Sequence, residues 1–371
     1  MGISPQNNVV AVVGAGPAGL FAAQALAAAG VQVALLNRDI RPGGLAEYGI
    51  YFEKHSIKAA LRKQFQKILA DPNITYYGNI TVAHNGDLSL DMLREAGFSA
   101  VIATVGAQGT KWLGLPGENL AGVYHAKDII YCYNGLPPYS ERCYDIGKRI
   151  ALIGVGNVMA DIAHWAVRTL KVDEVTAVAR RGPAAVKFTR QEMEYVANNL
   201  DVEALDAEFT RVADRMRAVG QDPEQARSFI LSALPRALEQ NSNTRLGFRF
   251  LSSPSQILGD GAGKVAGLEV DDTRLELRSD GSTRSVSLGT THTLDVDTVI
   301  FCIGDKVSET FGLPVKWDSF VKHPAPHFPV DNISYEVYDP VAGAPVEGVF
   351  VAGWAREASK GQVGLARKDA G

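Results

Sequence analysis

Apolar and polar positions along the chain follow one arrangement that occurs twice. Each copy has a short apolar run, a glycine-rich turn, an alanine-rich amphipathic stretch and a second apolar run, which is typical of a strand–helix–strand unit. In the first copy the pattern predicts a strand at Val9–Val13, a helix at Ala18–Ala29 and a strand at Val31–Leu36; in the second, a strand at Arg149–Ile153, a helix ending near Leu170 and a strand at Val175–Ala179.

Other segments extend these two units. Buried strands are predicted at Ser99–Ala107 and Asp297–Gly304, and strand character returns at Val346–Gly353. The polar, helix-prone stretch Asp201–Gln240 and the hairpin-like stretch Phe248–Leu294 are interpreted as insertions in the second unit. We therefore predict an α/β fold of two Rossmann-like three-layer dinucleotide-binding domains, the second inserted into the first: residues 1–108 with 305–371 form one domain, and residues 109–304 form the other.

Composition narrows the class of protein. With 371 residues, 46% of them hydrophobic, the chain has enough apolar material for two cores, and no apolar run is long enough to span a membrane. A net charge of -4 gives no general attraction to nucleic acid or anionic membrane. Cys132, Cys143 and Cys302 form no CxxC pair, so we predict no redox dithiol, disulfide or metal site, and a reducing, cytoplasmic setting.

The first glycine turn carries Gly14, Gly16 and Gly19 directly after a strand and at the start of a helix. This spacing favours dinucleotide binding, because small residues let the backbone approach a pyrophosphate and the helix N-terminus attracts its charge. The acidic residue expected at the end of the second strand is replaced by Asn37, with Asp39 two positions later. The glycines of the following loop, 42–50, indicate close approach to a flat ligand.

The second glycine turn carries Gly154, Gly156 and Ala160, again after a strand. Where an NAD site usually has Asp or Glu, the chain has Arg180 and Arg181. Two guanidiniums suit a 2′-phosphate, so this unit is predicted to bind NADPH. Two turns with different chemistry at the end of the second strand indicate two different dinucleotides.

The chain resembles the adrenodoxin-reductase-like ferredoxin:NADP⁺ reductases almost from end to end. The matching segments are VVGAGPAGL, PGGLxxxGI, GLPGE (Gly114–Glu118), AKDIIYCYNGLP (Ala126–Pro137), GVGNVMADIA, ARRGPAAVKFT (Ala179–Thr189), FRFLSSP (Phe248–Pro254), FCIG and AGWAREASKGQVG (Ala352–Gly364). The YNGLP, GNVxxD and RRGPxxxxFT segments are the most specific to this family.

The resemblance implies FAD in the domain formed by residues 1–108 and 305–371, and NADPH in the domain formed by residues 109–304, with one set of binding residues for each. The FAD set comprises Gly14, Gly16, Ala18, Gly19, Asn37, Gly44, Leu45, Ile80, Trp354, Gly361, Gln362 and Val363. The NADPH set comprises Gly154, Val155, Gly156, Asn157, Val158, Arg180, Arg181, Glu192 and Gly361. No catalytic acid or base is assigned, because hydride transfer depends on stacking and orientation; Lys54, His55, Glu192 and Trp354 are candidates for positions near the flavin or nicotinamide.

Three departures from the family distinguish this chain. The family usually has Glu at the position of Asn37 and a histidine at the position of Lys54, beside which this chain has His55. The family's carboxylate near the nicotinamide falls on Tyr195, with Glu194 adjacent. The flavin site is therefore expected to differ from that of other members more than the NADPH site.

The implied function is transfer of hydride from NADPH to FAD and then of single electrons to ferredoxin or a similar acidic protein. Such a partner requires a basic surface. One candidate is the helix 57–69, with Ile57, Leu61, Phe65 and Ile68 as its apolar stripe and Lys58, Arg62, Lys63 and Lys67 largely off it; the other is the insertion, with Arg211, Arg215, Arg217 and Arg236.

Two alternatives remain open at this point. One is an NADPH-oxidising electron-input subunit like the small subunit of glutamate synthase, although no cysteine-rich region precedes Val9. The other is a cofactor-binding sensor that has lost efficient turnover, which Asn37 and Lys54 favour. Bleaching of the flavin by NADPH distinguishes an enzyme from such a sensor.

Overall fold

The computed structural model describes residues 8–358 and 363–371. It divides into two compact units. The first unit comprises the residues up to Lys111, Tyr131–Ser140 and the residues from Gly304 onward; the second comprises Trp112–Ile130 and Glu141–Ile303. The segment Tyr131–Ser140 lies within the predicted second domain but belongs to the first unit. The reason is its hydrogen bonds: Tyr131 Oη donates to Gln108 and Asn134 Nδ2 donates to Tyr48.

The strands and helices are numbered in chain order. The strands are β1 (Val9–Val13), β2 (Gln32–Asn37), β3 (Ile74–Gly78), β4 (Ala100–Ala103), β5 (Gly109–Thr110), β6 (Val123–His125), β7 (Arg149–Ile153), β8 (Glu174–Val178), β9 (Arg245–Arg249), β10 (Ser252–Gly259), β11 (Val265–Leu277), β12 (Thr283–Leu294), β13 (Thr298–Phe301), β14 (Asp305–Lys306), β15 (Val315–Lys316), β16 (Ser319–Phe320), β17 (Glu336–Asp339) and β18 (Ala344–Val351). The helices are α1 (Pro17–Ala28), α2 (Leu45–Tyr48), α3 (His55–Leu69), α4 (Leu90–Glu95), α5 (Ala126–Tyr133), α6 (Asn157–Trp165), α7 (Arg190–Met193), α8 (Val202–Arg217), α9 (Pro223–Leu231) and α10 (Val363–Ala370).

The first unit is built on a six-stranded sheet in the order β17-β18-β4-β1-β2-β3. All neighbours are parallel except β17 and β18. The central strands are apolar throughout, as expected for parallel strands covered on both faces. One core cluster includes Val12, Leu20 and Phe65, and a second includes Val101 and Phe320. This sheet confirms the predicted three-layer arrangement.

The second unit has a five-stranded parallel sheet in the order β6-β13-β7-β8-β9 and a separate antiparallel sheet, β10-β11-β12. Phe248 belongs to β9 of the parallel sheet, so the predicted hairpin region starts later than expected, at Ser252. The residues after Trp165 form a π-helical turn rather than continuing α6. The predicted insertion contains α8 and α9.

Strand order reverses at equivalent places in both parallel sheets. In the first unit β1 lies between β2 and β4, and in the second β7 lies between β8 and β13. Open α/β sheets bind ligands outside the carboxyl ends of the strands at such a reversal. Both glycine turns follow these central strands. Within the described residues, no helix has the length and apolar character needed to cross a membrane.

Candidate functional site

The first glycine turn is compatible only with glycine at Gly14. Its φ is +105°, and an added Cβ would lie 2.6 Å from the carbonyl oxygen of Thr104 at the end of β4. The Thr104 hydroxyl donates to the carbonyl oxygens of Val13 and Gly14 at 2.9 and 2.8 Å. At Gly19 an added Cβ would overlap the Gly14 carbonyl. The turn is therefore held tightly against both the neighbouring strand and α1.

The outer side of this turn is open. An added Cβ on Gly16 would meet no atom within 4 Å, and α1 begins at the next residue, Pro17. Proline at the first helical position leaves the remaining free N–H groups of the first turn facing outward. An open glycine at a helix N-terminus fits a pyrophosphate.

Asn37 lies at the carboxyl end of β2 and is 5% exposed. Its Oδ1 accepts the N–H of Ala15 at 3.0 Å, and its Nδ2 donates to the carbonyl oxygens of Asp39 and Arg41 at 2.7 and 3.2 Å. Both amide hydrogens are therefore satisfied by protein, and one lone pair of Oδ1 remains. Asn37 fixes the glycine turn and the following loop, which leaves little of its side chain for a ribose.

The loop after β2 lies directly on the glycine turn. Gly43 donates its N–H to the carbonyl oxygen of Ala15 at 2.7 Å. Gly44 has a φ of +50°, and an added Cβ would lie 3.0 Å from Cα of Gly16. Leu45 then starts α2 and is half-buried. The glycines of this loop are thus required for backbone-to-backbone contact, in the place that the sequence assigned to the flavin.

The segment after β18 contacts the same turn. Gly353 has a φ of +67°, and an added Cβ would lie 2.5 Å from Cβ of Ala18 in the first turn of α1. Its N–H donates to Asp369 Oδ2 of α10 at 2.7 Å, and the buried Arg356 also donates to Asp369. The half-buried Trp354 is adjacent. Asp369 thus anchors the turn that carries Trp354.

The remaining predicted flavin contacts are spread along the first unit. Ile80 is half-buried and donates its N–H to the Asn37 carbonyl at 2.9 Å. Lys54 precedes α3 and is half-buried, and His55 begins the helix and is exposed. Gly361 and Gln362 lie outside the described residues, and Val363 begins α10.

Helix α3 differs from the predicted amphipathic pattern. Ile57, placed on the apolar stripe, is 47% exposed, whereas Lys58, placed off it, is 7% exposed. Arg62 makes a bidentate pair with the buried Glu47, at 2.7 and 2.6 Å. Burial acts to raise the pKa of Glu47, but Arg62 and the nearby cations outweigh it and hold this pKa below its ordinary value. Lys63 and Lys67 are exposed, and no carboxylate of residues 8–358 or 363–371 lies within ion-pair distance of either.

The second glycine turn repeats the geometry of the first. Gly154 has a φ of +117°, and an added Cβ would lie 2.6 Å from the carbonyl oxygen of Cys302 at the end of β13. Gly156 is open, with no atom within 4 Å of an added Cβ, and α6 starts at Asn157. Val158 is exposed in the first turn of this helix. This turn fits a second pyrophosphate.

The loop after β8 is tied to that turn at two points. Lys187 donates its N–H to the carbonyl oxygen of Val155 at 2.8 Å, and Thr189 donates its N–H to Asn157 Oδ1 at 2.8 Å. The side chain of Asn157 is therefore bonded to protein. These bonds fix the path of the chain from Arg181 to α7.

Arg180 and Arg181 are both exposed. Their carbonyl oxygens accept hydrogen bonds from Thr273 Oγ1 at 2.9 Å and from the Leu251 N–H at 3.2 Å. Within the described residues, no carboxylate lies within ion-pair distance of either guanidinium. The backbone of the pair is thus fixed, and the two charges are available to an anionic ligand.

Glu192 lies in the first turn of α7, half-buried, and its N–H donates to the Thr189 hydroxyl at 3.3 Å. Tyr195 stacks on the buried His164 of α6, with ring centroids 4.9 Å apart. Glu194 pairs with Arg190 at 3.3 Å. The position at which the family carries a carboxylate is therefore occupied by the ring of Tyr195, and the carboxylate of the adjacent Glu194 is paired with an arginine.

The insertion was predicted to carry a basic surface of four arginines, and this prediction is wrong for two of them, which are bonded within the protein. Arg211 makes a bidentate pair with the buried Glu208 and a further pair with Asp272, and Arg215 donates to the Thr273 carbonyl at 3.1 Å. These bonds join α8 to β11, so both arginines have structural roles. Arg217, paired with Asp214, and Arg236 are exposed.

The three cysteines form no disulfide, and burial raises the pKa of the Cys302 thiol, which disfavours a reactive thiolate. In residues 8–358 and 363–371, no group of three or more His, Cys, Asp or Glu side chains is arranged to hold a metal ion. Sequence reasoning missed Asn134 and Asp369. Asn134 lies in the family-specific YNGLP segment, which was the available signal; no signal pointed to Asp369.

Comparisons with known proteins support the resemblance. The sequence profile described as "Pyridine nucleotide-disulphide oxidoreductase" matches residues 8–228. NADPH-ferredoxin reductase FprA of Mycobacterium leprae is 30% identical over 392 residues, which cover 97% of this chain and 81% of that protein. The mitochondrial NADPH:adrenodoxin oxidoreductase of Salvelinus fontinalis is 28% identical, covering 97% and 75%. The structure of Mycobacterium tuberculosis FprA in complex with NADPH superposes with a TM-score of 0.78 at 27% identity, covering 98% and 82%.

Proposed function

The chain belongs to the pyridine nucleotide-disulphide oxidoreductase family, in its adrenodoxin-reductase-like branch, and from this premise we propose that it is an FAD-dependent NADPH reductase. It takes hydride from NADPH and delivers electrons one at a time to a small iron–sulfur protein such as ferredoxin. One observation carries the proposal. Two open glycine turns at equivalent strand reversals are followed by different chemistry, the buried Asn37 in one unit and the exposed Arg180 and Arg181 in the other.

The first unit would hold FAD. The open Gly16 and the N-terminus of α1 suit its pyrophosphate, and the loop carrying Gly44 and Leu45 lies on the same turn. Trp354 and Val363 belong to the segments anchored by Asp369. When bound, FAD supplies the ring system that accepts hydride and releases electrons singly. The protein contributes binding and orientation.

The second unit would hold NADPH. Gly156 and the first turn of α6 suit the pyrophosphate, and Arg180 and Arg181 suit the 2′-phosphate that distinguishes NADPH from NADH. Glu192 follows in the loop that is tied to the turn through Asn157. Selection of the electron donor therefore depends on charge at the end of β8.

We assign no acid or base to the reaction, because hydride transfer from a nicotinamide to a flavin would depend on binding and orientation by the protein and not on a proton donor or acceptor. Lys54 and His55 stay candidates for groups near the flavin. The same proposal includes a cytoplasmic location and an acidic protein partner, for which the exposed Lys63 and Lys67 of α3 provide a basic surface.

Flavin bleaching provides the test. Purified protein should be yellow, and its visible flavin absorbance should fall rapidly on addition of NADPH under anaerobic conditions. A colourless protein, or a yellow one that NADPH does not bleach, would contradict the proposal and favour a cofactor-binding sensor.

A second measurement addresses the acceptor. Cytochrome c reduction should be faster with ferredoxin, and the increase should decline as salt rises, because screening weakens attraction between charged surfaces. A rate independent of both ferredoxin and salt would contradict the ferredoxin assignment. In that case an electron-input subunit that passes electrons to a fixed partner would be favoured.

A further inference from the structure

Lys58 of α3 is a buried cation with a sparse set of partners. It is 7% exposed, and its Nζ donates to Asn134 Oδ1 at 2.6 Å. An ammonium has three N–H donors, and within the described residues this is the one hydrogen bond of the Lys58 side chain. Burying a charged group without full hydrogen bonding is costly, so such a residue is expected to serve a ligand or a structural contact.

Nearby charges do not neutralise Lys58. The carboxylate that acts on it electrostatically is that of Glu47, which is already bonded in bidentate fashion to Arg62 and lies 3.8 Å from Arg41. One carboxylate thus faces three cations. Burial lowers the pKa of Lys58, and Glu47 opposes this effect. The first turn of α3 contains no acidic residue. This part of the first unit therefore carries an excess of positive charge.

Asn134 connects Lys58 to the loop that we assign to the flavin. Its Nδ2 donates to the carbonyl oxygen of Tyr48 at 2.9 Å, and Tyr48 is the last residue of α2. Leu45, the first residue of α2, packs with Tyr48 in one apolar cluster. Gly44, just before α2, lies against Gly16 of the glycine turn. The chain of contacts thus runs from Lys58 to the predicted cofactor loop.

We propose that Lys58 supplies positive charge to the flavin site and thereby favours the reduced form of the cofactor, with Asn134 as the positioning residue that holds its ammonium. The inference rests on the proposed function. Hydride transfer moves two electrons and one proton from NADPH, which becomes NADP⁺, so the flavin ring system gains one negative charge. A buried cation nearby stabilises that charge, since electrostatic interactions are strong where water is excluded.

The midpoint potential of bound FAD tests the proposal, measured by dye equilibration during anaerobic reduction. Lys58→Met should shift the reduction equilibrium toward the oxidised form by about tenfold, which is about 30 mV for a two-electron couple. Asn134→Asp should shift it in the same direction, because the new carboxylate pairs with Lys58. Lys58→Arg keeps the charge and should keep the potential. Lys316→Met, which removes an exposed cation of the same unit, is the control.

The outcomes separate this inference from the proposed function. If the wild-type protein binds no FAD, or NADPH does not reduce it, the proposed function fails before any variant is compared. If the wild-type protein is reduced normally but the Lys58→Met and Asn134→Asp potentials equal its own, the inference is overturned. It is also overturned if FAD affinity falls without a change in potential, if Lys58→Arg loses FAD, or if Lys316→Met shifts the potential equally.

Discussion

Replacing both Arg180 and Arg181 with alanine should weaken the binding of NADPH far more than the binding of NADH. Both guanidiniums are exposed, and the structure places no carboxylate within ion-pair distance of them in the part of the chain that it describes. Their backbone is held by Thr273 and Leu251 through carbonyl contacts that do not involve the side chains. The double variant should therefore fold normally and lose only the positive charge that faces a 2′-phosphate.

The magnitude follows from the exposure of the pair. Hydrogen bonds to charged groups contribute about 1.5–3 kcal/mol each, and solvent screening favours the lower end for exposed side chains. Two arginines at about 1.5 kcal/mol each give about 3 kcal/mol, or about a hundredfold increase in the KM for NADPH. NADH lacks the 2′-phosphate, so its KM should change little.

The assay is steady-state reduction of ferricyanide with each nucleotide, for the wild-type protein, the double variant and a control. Arg278→Ala is a suitable control, because Arg278 is an exposed arginine of the same unit whose described hydrogen bonds are made by its backbone. The ratio of the KM for NADH to the KM for NADPH should fall toward one in the double variant and should stay at the wild-type value in Arg278→Ala. Equal increases for NADPH and NADH would refute the assignment of these arginines to the phosphate.

Three other predictions concern the first unit. Gly353→Ala should lower the urea midpoint and the FAD affinity more than the control Gly343→Ala. Gly343 has nearly the same φ, +66°, but an added Cβ there would make no close contact. Equal effects of the two substitutions would show that packing of Gly353 on α1 is unimportant. Asp369→Asn should cost about 3 kcal/mol of stability, the lower end for breaking a buried ion pair, because the buried Arg356 is then left with the longer pair to Glu357 at 3.4 Å. The exposed Lys368→Ala should be neutral, and unchanged urea unfolding of both variants would contradict this. The pKa of Glu47 is depressed in the folded protein, so the stability that Glu47 contributes is complete above its unfolded pKa, about 4.3, and is lost as the pH falls toward the folded pKa. Glu47→Gln should therefore flatten the pH dependence of the urea midpoint in that range. An unaltered profile would show that the Glu47–Arg62 ion pair is not the source of this pH dependence.

The glycine turns were predictable because they obey local rules. A glycine between a strand and a helix is required wherever an added Cβ would strike the neighbouring strand, as at Gly14 and Gly154. The type and order of the flanking elements follow from the same apolar periodicity. The arginine pair after β8 was predictable for the same reason, since its role depends on its place at the end of a strand.

Other features depend on contacts between distant parts of the chain. From the sequence, Lys58 is expected to be a surface lysine; its hydrogen bond to Asn134, far along the chain, is visible only in the structure. From the sequence, Arg211 is expected to be one of several free cations, whereas in the structure it pairs with Glu208 and Asp272. Asn37 stays a predicted FAD contact, and the bonds of its amide to Ala15 and to the loop beyond β2 could not be inferred from the sequence. Periodicity carries no information about such long-range pairs.

The discontinuous make-up of the first unit has a consequence for synthesis on the ribosome. Strand β18 pairs with β4, yet the chain between them contains the whole of the second unit's parallel sheet. While the chain is being made, the edge of β4 stays without its partner until β18 emerges, and α10, which anchors Gly353, emerges later still. Unpaired edges of this kind invite aggregation, so the nascent first unit carries an aggregation-prone edge until β18 has emerged.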